Sequence, residues 1–108
     1  MKVFRGCIYW VNLNPTIGTE MAKVRPAVVV SDNLMNEFGK TVVVCPITSS
    51  IHPKWRSRLI MSCAGETSEI AVDQIRAVSK QRINKKVDEL DATSLSELQS
   101  LISQMYAN

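Results

Sequence analysis

The sequence predicts a mainly β domain with helices: a small β-barrel or strongly curved sheet with one long C-terminal helix against it. Three observations predict it. Short runs rich in β-branched and aromatic residues recur along most of the chain, separated by turns containing glycine or proline. From Ser94 onward the pattern changes: Leu95, Leu98, Leu101, Ile102, Met105 and Tyr106 fall at three- and four-residue spacing, one apolar stripe of a helix. With 108 residues the chain is read as a single domain over 1–108, long enough to bury roughly 65% of its unfolded surface.

The first strand is read over Ile8 to Leu13, an imperfect alternation with aromatic and β-branched residues. Asn14-Pro15 and Gly18 mark a turn and a loop that reaches Arg25. Ala27 to Val30 is continuously apolar, as in a strand covered on both faces. Ser31 is placed to cap a brief helix, Asp32 to Phe38, which Gly39 ends. Thr41 to Thr48 reads as a second β-branched strand; Pro46, which lacks an N–H, assigns its far end to an edge or a bulge. The polar stretch Ser49 to Arg56 reads as loop. Leu59 to Ser62, Glu69 to Val72 and Ile75 to Val78 are short strands, the first two flanking a turn at Gly65. Ser94 and Glu97 form an S-x-x-E capping box that opens the last helix.

Composition narrows the chemistry. Apolar residues make up 45% and charged residues 21%, ordinary for a globular domain, so disorder is not expected. No apolar run approaches the roughly 18 residues of a membrane span. The opening MKVFRGCIYW has no sustained apolar core or small-residue cleavage site, so a cytoplasmic protein is expected. Cys7, Cys45 and Cys63 show no C-x-x-C spacing and read as structural. The net charge of +3 permits a nucleic-acid partner without arguing for one. His52 is the sole histidine, which excludes a ribonuclease using two imidazoles. No H-E-x-x-H, carboxylate cluster or Gly-rich phosphate loop is present, so no metal or other cofactor is expected.

Arg25 is the leading candidate for chemistry. It ends a loop and precedes Pro26, whose ring restricts the preceding residue to extended backbone. A guanidinium held in that way grips two phosphate oxygens at once; the plain alternative is a surface ion pair. Thr48, Ser49 and Ser50 follow an apolar strand, and such hydroxyls serve either a phosphate or a turn. Thr19 and Glu20 sit in the first loop, and Asp73 with Gln74 separates two apolar segments. Lys54, Arg56 and Arg58 form one loose basic group, with Arg56 and Arg58 on one face at strand spacing and Trp55 interleaved to stack on an unpaired base. Arg76, Lys80, Arg82, Lys85 and Lys86 form another. A phosphate track and a solvated face remain equal readings of both.

Three segments carry a resemblance: GCIYWVNLNPTIGTE with RPAVVVS, then VVVCPITS, then AVDQIRAVSKQRI. Together they resemble the MazF/PemK family of toxin endoribonucleases, from Gly6 to about Ile83, followed by a C-terminal helix where the family has one. The resemblance implies a dimeric SH3-like β-barrel that cuts single-stranded RNA at short sequences without a metal and is silenced by a MazE-like antitoxin. By position, Arg25 matches the family's catalytic arginine and Thr48 its catalytic or phosphate-contacting hydroxyl. Glu20 matches an acid of the first loop, and Asp73 with Gln74 the acidic-Gln pair before Ile75-Arg76. Cys7 replaces a common acidic residue, while Thr19 and Ala71 stand where one branch has a histidine and an arginine, so that branch's full acid–base set is missing here.

The reaction so implied is attack of the RNA 2′-hydroxyl on the adjacent phosphate, leaving a 2′,3′-cyclic phosphate and a 5′-hydroxyl. The proton acceptor is open, with Glu20 and Asp73 as candidates, because an arginine with a pKa above about 12 is a poor base. The rival reading is a CcdB-like gyrase-poisoning toxin on the same barrel, which acts through its C-terminal helix rather than an arginine–hydroxyl pair.

Overall fold

A computed structural model, which describes residues 1–107, folds the chain into seven antiparallel strands and two α-helices. The strands are β1 (Cys7–Asn12), β2 (Val24–Val29), β3 (Thr41–Thr48), β4 (Arg58–Cys63), β5 (Glu66–Ala71), β6 (Arg76–Ser79) and β7 (Ile83–Glu89). Helix α1 (Asn33–Phe38) links β2 to β3, and α2 (Ala92–Tyr106) follows β7. The sheet runs β4-β5-β3-β2-β1-β7, with β6 beside β3. It curls until its ends meet: the amide of Ala64, in the turn after β4, donates to the Asp88 carboxylate on β7 at 2.8 Å.

The central strands are apolar on both faces: one packs with β6 and the segments flanking β1, the other with β4, β5 and α2. Tyr9, Val11, Ala27, Val29, Val42, Val44 and Val78 pack in one cluster. Ile8, Val28, Cys45, Ile47, Ile70 and Val72 pack in a second, closed by Leu98 of α2. Neighbours in β1 and β2 thus alternate between clusters, the two-residue period of a strand covered on both sides. Leu98, Leu101 and Ile102 of the helical stripe pack on the sheet, whereas Met105 stays exposed; the Tyr106 hydroxyl donates to the Val72 carbonyl at 2.7 Å. Gly6 lets α2 approach: its φ is +86°, and a Cβ there would lie 3.2 Å from a Leu95 methyl. The β4–β5 turn is of the tight hairpin kind, with Ala64 and Gly65 both at positive φ.

Several expectations require correction. β2 begins at Val24, so Arg25 and Pro26 lie inside the strand, opposite Val11 and Trp10. Pro46 is at no edge: β3 is central, and Pro46 falls where the pairing with β6 has ended at Val44 and that with β5 has not begun at Ile47. Asp32, not Ser31, caps α1 by accepting the amides of Leu34 and Met35. Ser31 instead bonds buried Asn36 and accepts the Val43 amide. Helix α2 starts earlier, with Asp91 as its cap accepting from the Ser94 amide at 2.7 Å. Strand β7 was not anticipated at all, and β5 starts three residues before Glu69, at Glu66.

Candidate active site

Arg25 and Thr48 come together in one cleft although they lie on different strands. β2 and β3 are paired, with Ala27 opposite Pro46, which brings the start of β2 beside the end of β3. A cavity of about 320 Å³ opens there, with Trp10, Arg25, Thr48, Ser49, Glu66 and Ser68 among its lining residues. Arg25 is half-buried, and its Nε donates to the Ala22 carbonyl at 2.9 Å. That bond fixes the plane of the guanidinium and leaves both Nη groups free of protein partners among the described residues. Thr48 is 7% exposed, and its Oγ1 accepts the Ser50 amide at 3.1 Å. Its own O–H proton is therefore free to donate. The site presents a fork of N–H donors next to a hydroxyl donor, which suits an anion with several oxygens.

The other candidates are placed elsewhere. Thr19 and Glu20 are exposed in the β1–β2 loop, where a Glu20 carboxylate oxygen accepts the Ile17 amide at 3.0 Å. Gln74 pins that loop by accepting the Met21 amide at 3.2 Å. Arg76 and Arg82 donate to the carbonyls of Leu13 and Asn14 at the base of the same loop, so both brace it. Lys54, Trp55 and Arg56 are exposed in the β3–β4 loop, outside the cleft. Arg56 precedes β4 and does not share a strand face with Arg58.

Arg58 belongs to a buried charge network. Its side chain is 4% exposed and donates at 2.7 Å to both Asp73 and Glu69, the latter fully buried. Glu69 also accepts the His52 amide and meets the His52 ring, each at 2.9 Å. The His52 ring stacks on Trp55 with centroids 4.0 Å apart, and the guanidinium of Arg58 lies 4.6 Å from the Trp55 ring. Burial opposes ionisation of Glu69, but the amide and ring of His52 and the charge of Arg58 outweigh it and hold the carboxyl below its ordinary range. Burial likewise opposes ionisation of Asp73, and Arg58 together with Ser57 reverses it. The network ties the loop after Thr48 to β5. All three cysteines are free and buried, and burial with the nearby Asp73 charge pushes the Cys45 thiol up to about 12. Among the described residues no group of three or more His, Cys, Asp or Glu side chains is placed to hold a metal ion.

The chain as a whole matches a known family. Residues 4–106 fit the family described as PemK-like, MazF-like toxin of type II toxin–antitoxin system. The chain belongs to that family. Among its relatives, endoribonuclease EndoA of Bacillus subtilis is 33% identical over 96 residues, covering 84% of this chain and 83% of EndoA. Endoribonuclease MazF of Staphylococcus epidermidis is 28% identical over 108 residues, covering 91% of this chain and 86% of that protein. The crystal structure of MazF from Deinococcus radiodurans superposes with a TM-score of 0.88 at 22% identity, covering 100% of this chain and 99% of that one. A mycobacterial endoribonuclease solved with its cognate antitoxin superposes with a TM-score of 0.75 at 17% identity, covering 95% and 91%. The barrel with a C-terminal helix is thus the PemK/MazF fold.

For this PemK/MazF-like toxin, reading the sequence missed three cleft residues: Trp10, Glu66 and Ser68. Trp10 looks in the sequence like any aromatic strand residue, yet it is 40% exposed at the cleft. Glu66 and Ser68 lie ahead of Glu69, where the apolar pattern of β5 begins, so no local signal marks them.

Proposed function

We propose that this protein is the toxin of a type II toxin–antitoxin pair, a cytoplasmic endoribonuclease that cuts single-stranded RNA by internal attack. The observation that carries the reading is the Arg25–Thr48 pair: a guanidinium anchored through Nε with two free Nη groups, beside a hydroxyl whose proton is free. In the reaction the RNA 2′-oxygen bonds to the adjacent phosphorus and the bond from phosphorus to the 5′-oxygen breaks. The products carry a 2′,3′-cyclic phosphate and a 5′-hydroxyl. Arg25 neutralises the charge that grows on the phosphoryl oxygens, and Thr48 donates to one of them. The 2′ proton passes to water in the open cleft, and the 5′-oxygen takes one from water. The nucleophile is supplied by the substrate, so no metal is needed to activate water.

The family relationship supports the rest of the reading. A homodimer joins two clefts into a longer groove, with Lys54, Trp55 and Arg56 as outlying RNA contacts. A MazE-like antitoxin covers that groove with an acidic segment that orders on binding. The gyrase-poison reading is not favoured, since the relatives carry endoribonuclease names and the end of α2 is engaged through Tyr106 in holding the fold.

The test is incubation of the purified protein with mixed-sequence single-stranded RNA in EDTA, followed by mapping of the fragment ends. Discrete cuts bearing 2′,3′-cyclic phosphate are expected, and Arg25→Lys, which keeps the charge but loses the fork, slows them about 100- to 1,000-fold. RNA left intact by the folded parent, or cut equally fast by Arg25→Lys, refutes the assignment.

A further inference from the structure

The cavity that Arg25 and Thr48 line has a composition that phosphate binding alone does not explain. It carries a carboxylate, Glu66, and an exposed indole, Trp10. A carboxylate only accepts hydrogen bonds and repels a phosphate backbone, so inside an RNA cleft it is favourable only against a donor. The carboxylate of Glu66 has no hydrogen-bond or ion-pair partner among the described residues, whereas those of Glu20 and Asp73 are engaged. Its backbone is held in place, since the Ser68 hydroxyl donates to the Glu66 carbonyl at 3.2 Å. Trp10 lies opposite Pro26 on the strand that neighbours Arg25's, and it lines the same cavity as Arg25 and Thr48.

From these features we infer that Trp10 and Glu66 form a nucleobase subsite selective for guanine beside the cleaved bond; this rests on the nuclease reading of Arg25 and Thr48. Trp10 supplies a stacking face, which any base accepts. Selectivity comes from Glu66. On its Watson–Crick edge guanine presents two adjacent donors, N1–H and the N2 amine, which match the two oxygens of one carboxylate. Uracil offers one donor between two carbonyls, and adenine and cytosine each offer an amine beside an acceptor nitrogen. Against any of these three, one carboxylate oxygen faces an acceptor.

The experiment has two steps. Cut sites are first mapped on an RNA pool with all four bases randomised, where the parent is expected to require guanine at one position next to the cleaved bond. That guanosine is then replaced by inosine, which keeps N1–H and lacks the N2 amine. The parent is expected to cut the inosine substrate about tenfold more slowly, and Glu66→Ala to cut both alike. Glu66→Gln, retained as a conservative variant in case alanine disturbs the hairpin, lowers the preference for guanine over the other bases about 10- to 100-fold. Cut sites indifferent to guanine in the parent overturn the proposal, as does a guanosine-to-inosine ratio unchanged in Glu66→Ala. A uniform loss of rate on every sequence, with a displaced pH–rate profile, also overturns it and assigns Glu66 to proton transfer. RNA left intact by the parent defeats the underlying nuclease reading as well, so the two failures are distinct.

Discussion

Replacing Arg58 with methionine keeps the length of the stem beside Trp55 and removes the charge that Glu69 and Asp73 share. Glu69 is fully buried and Arg58 4% exposed, so solvent cannot screen the loss. Breaking a buried pair by removing one partner costs about 3–5 kcal/mol, a large part of the stability of a domain this size. At about 4–8 °C per kcal/mol, the melting temperature falls by roughly 12 to 40 °C at pH 7. The dependence on pH changes as well. In the parent, Glu69 and Asp73 are held below their ordinary range, so their contribution is complete above the unfolded-state pKa near 4 and is lost as pH falls through the folded values. In Arg58→Met, burial of Glu69 is opposed by His52 alone. Proton uptake at Glu69 then relieves the folded state. The variant therefore gains stability relative to the parent as pH falls from 7 to 5. Thermal unfolding followed by circular dichroism at pH 5, 6 and 7 measures both effects. A melting temperature within about 4 °C of the parent at pH 7 refutes the reasoning, because it corresponds to about 1 kcal/mol or less. So does a variant that loses stability faster than the parent on acidification.

Two further predictions concern local contacts. Asp91→Ala removes the side chain that caps α2 and is expected to lower the midpoint of chemical denaturation clearly, whereas Ser94→Ala, inside the first turn, leaves it almost unchanged. Equal losses in the two variants contradict the assigned helix start. Thr48→Val keeps the shape of the buried side chain but removes the hydroxyl and the acceptor of the Ser50 amide. RNA cleavage is expected to fall about 100-fold, with initial rates on a defined cut site as the measurement and unchanged rates as the refuting result.

What could be read from the sequence separates according to which contacts are local. β3 was recognised over its full observed span because Thr41 to Thr48 carries a dense β-branched pattern that needs no partner to be seen. The missed strand β7, INKKVDE, buries only Ile83 and half-buries Val87 and Asp88, and its pairing with β1 is interrupted by register shifts. An edge strand with irregular pairing has no clean period to detect. At the start of α2, Asp91 and Ser94 both fit a cap pattern. Tertiary contacts favour Asp91: the Leu90 amide bonds the Gly6 carbonyl at 2.9 Å, and Leu95 rests on Gly6, so the helix begins as soon as β7 ends. Glu69 looks like an outward residue of a strand, and only the approach of Arg58 from β4 and His52 from the loop explains its burial.

The same distinction runs through the cleft. Arg25 and Thr48 sit on β2 and β3, neighbouring strands whose local patterns place each residue near a strand end before any folding is known. Their meeting requires only that those two strands pair. The opposite wall has a different origin. Glu66 reaches the cleft because the β4–β5 hairpin is carried round by the curl of the whole sheet and fastened to β7 where Asp88 accepts the Ala64 amide. Two backbone amides, from Ala64 and Glu89, hold the Asp88 carboxyl below its ordinary range, against a smaller opposing effect of burial, so the fastening involves an ionised group. A wall assembled by closure depends on contacts from both ends of the sheet, which no short stretch of sequence encodes. In this fold the proximity of Arg25 and Thr48 can be read from two neighbouring strands, whereas Glu66 joins their cleft only when the sheet closes.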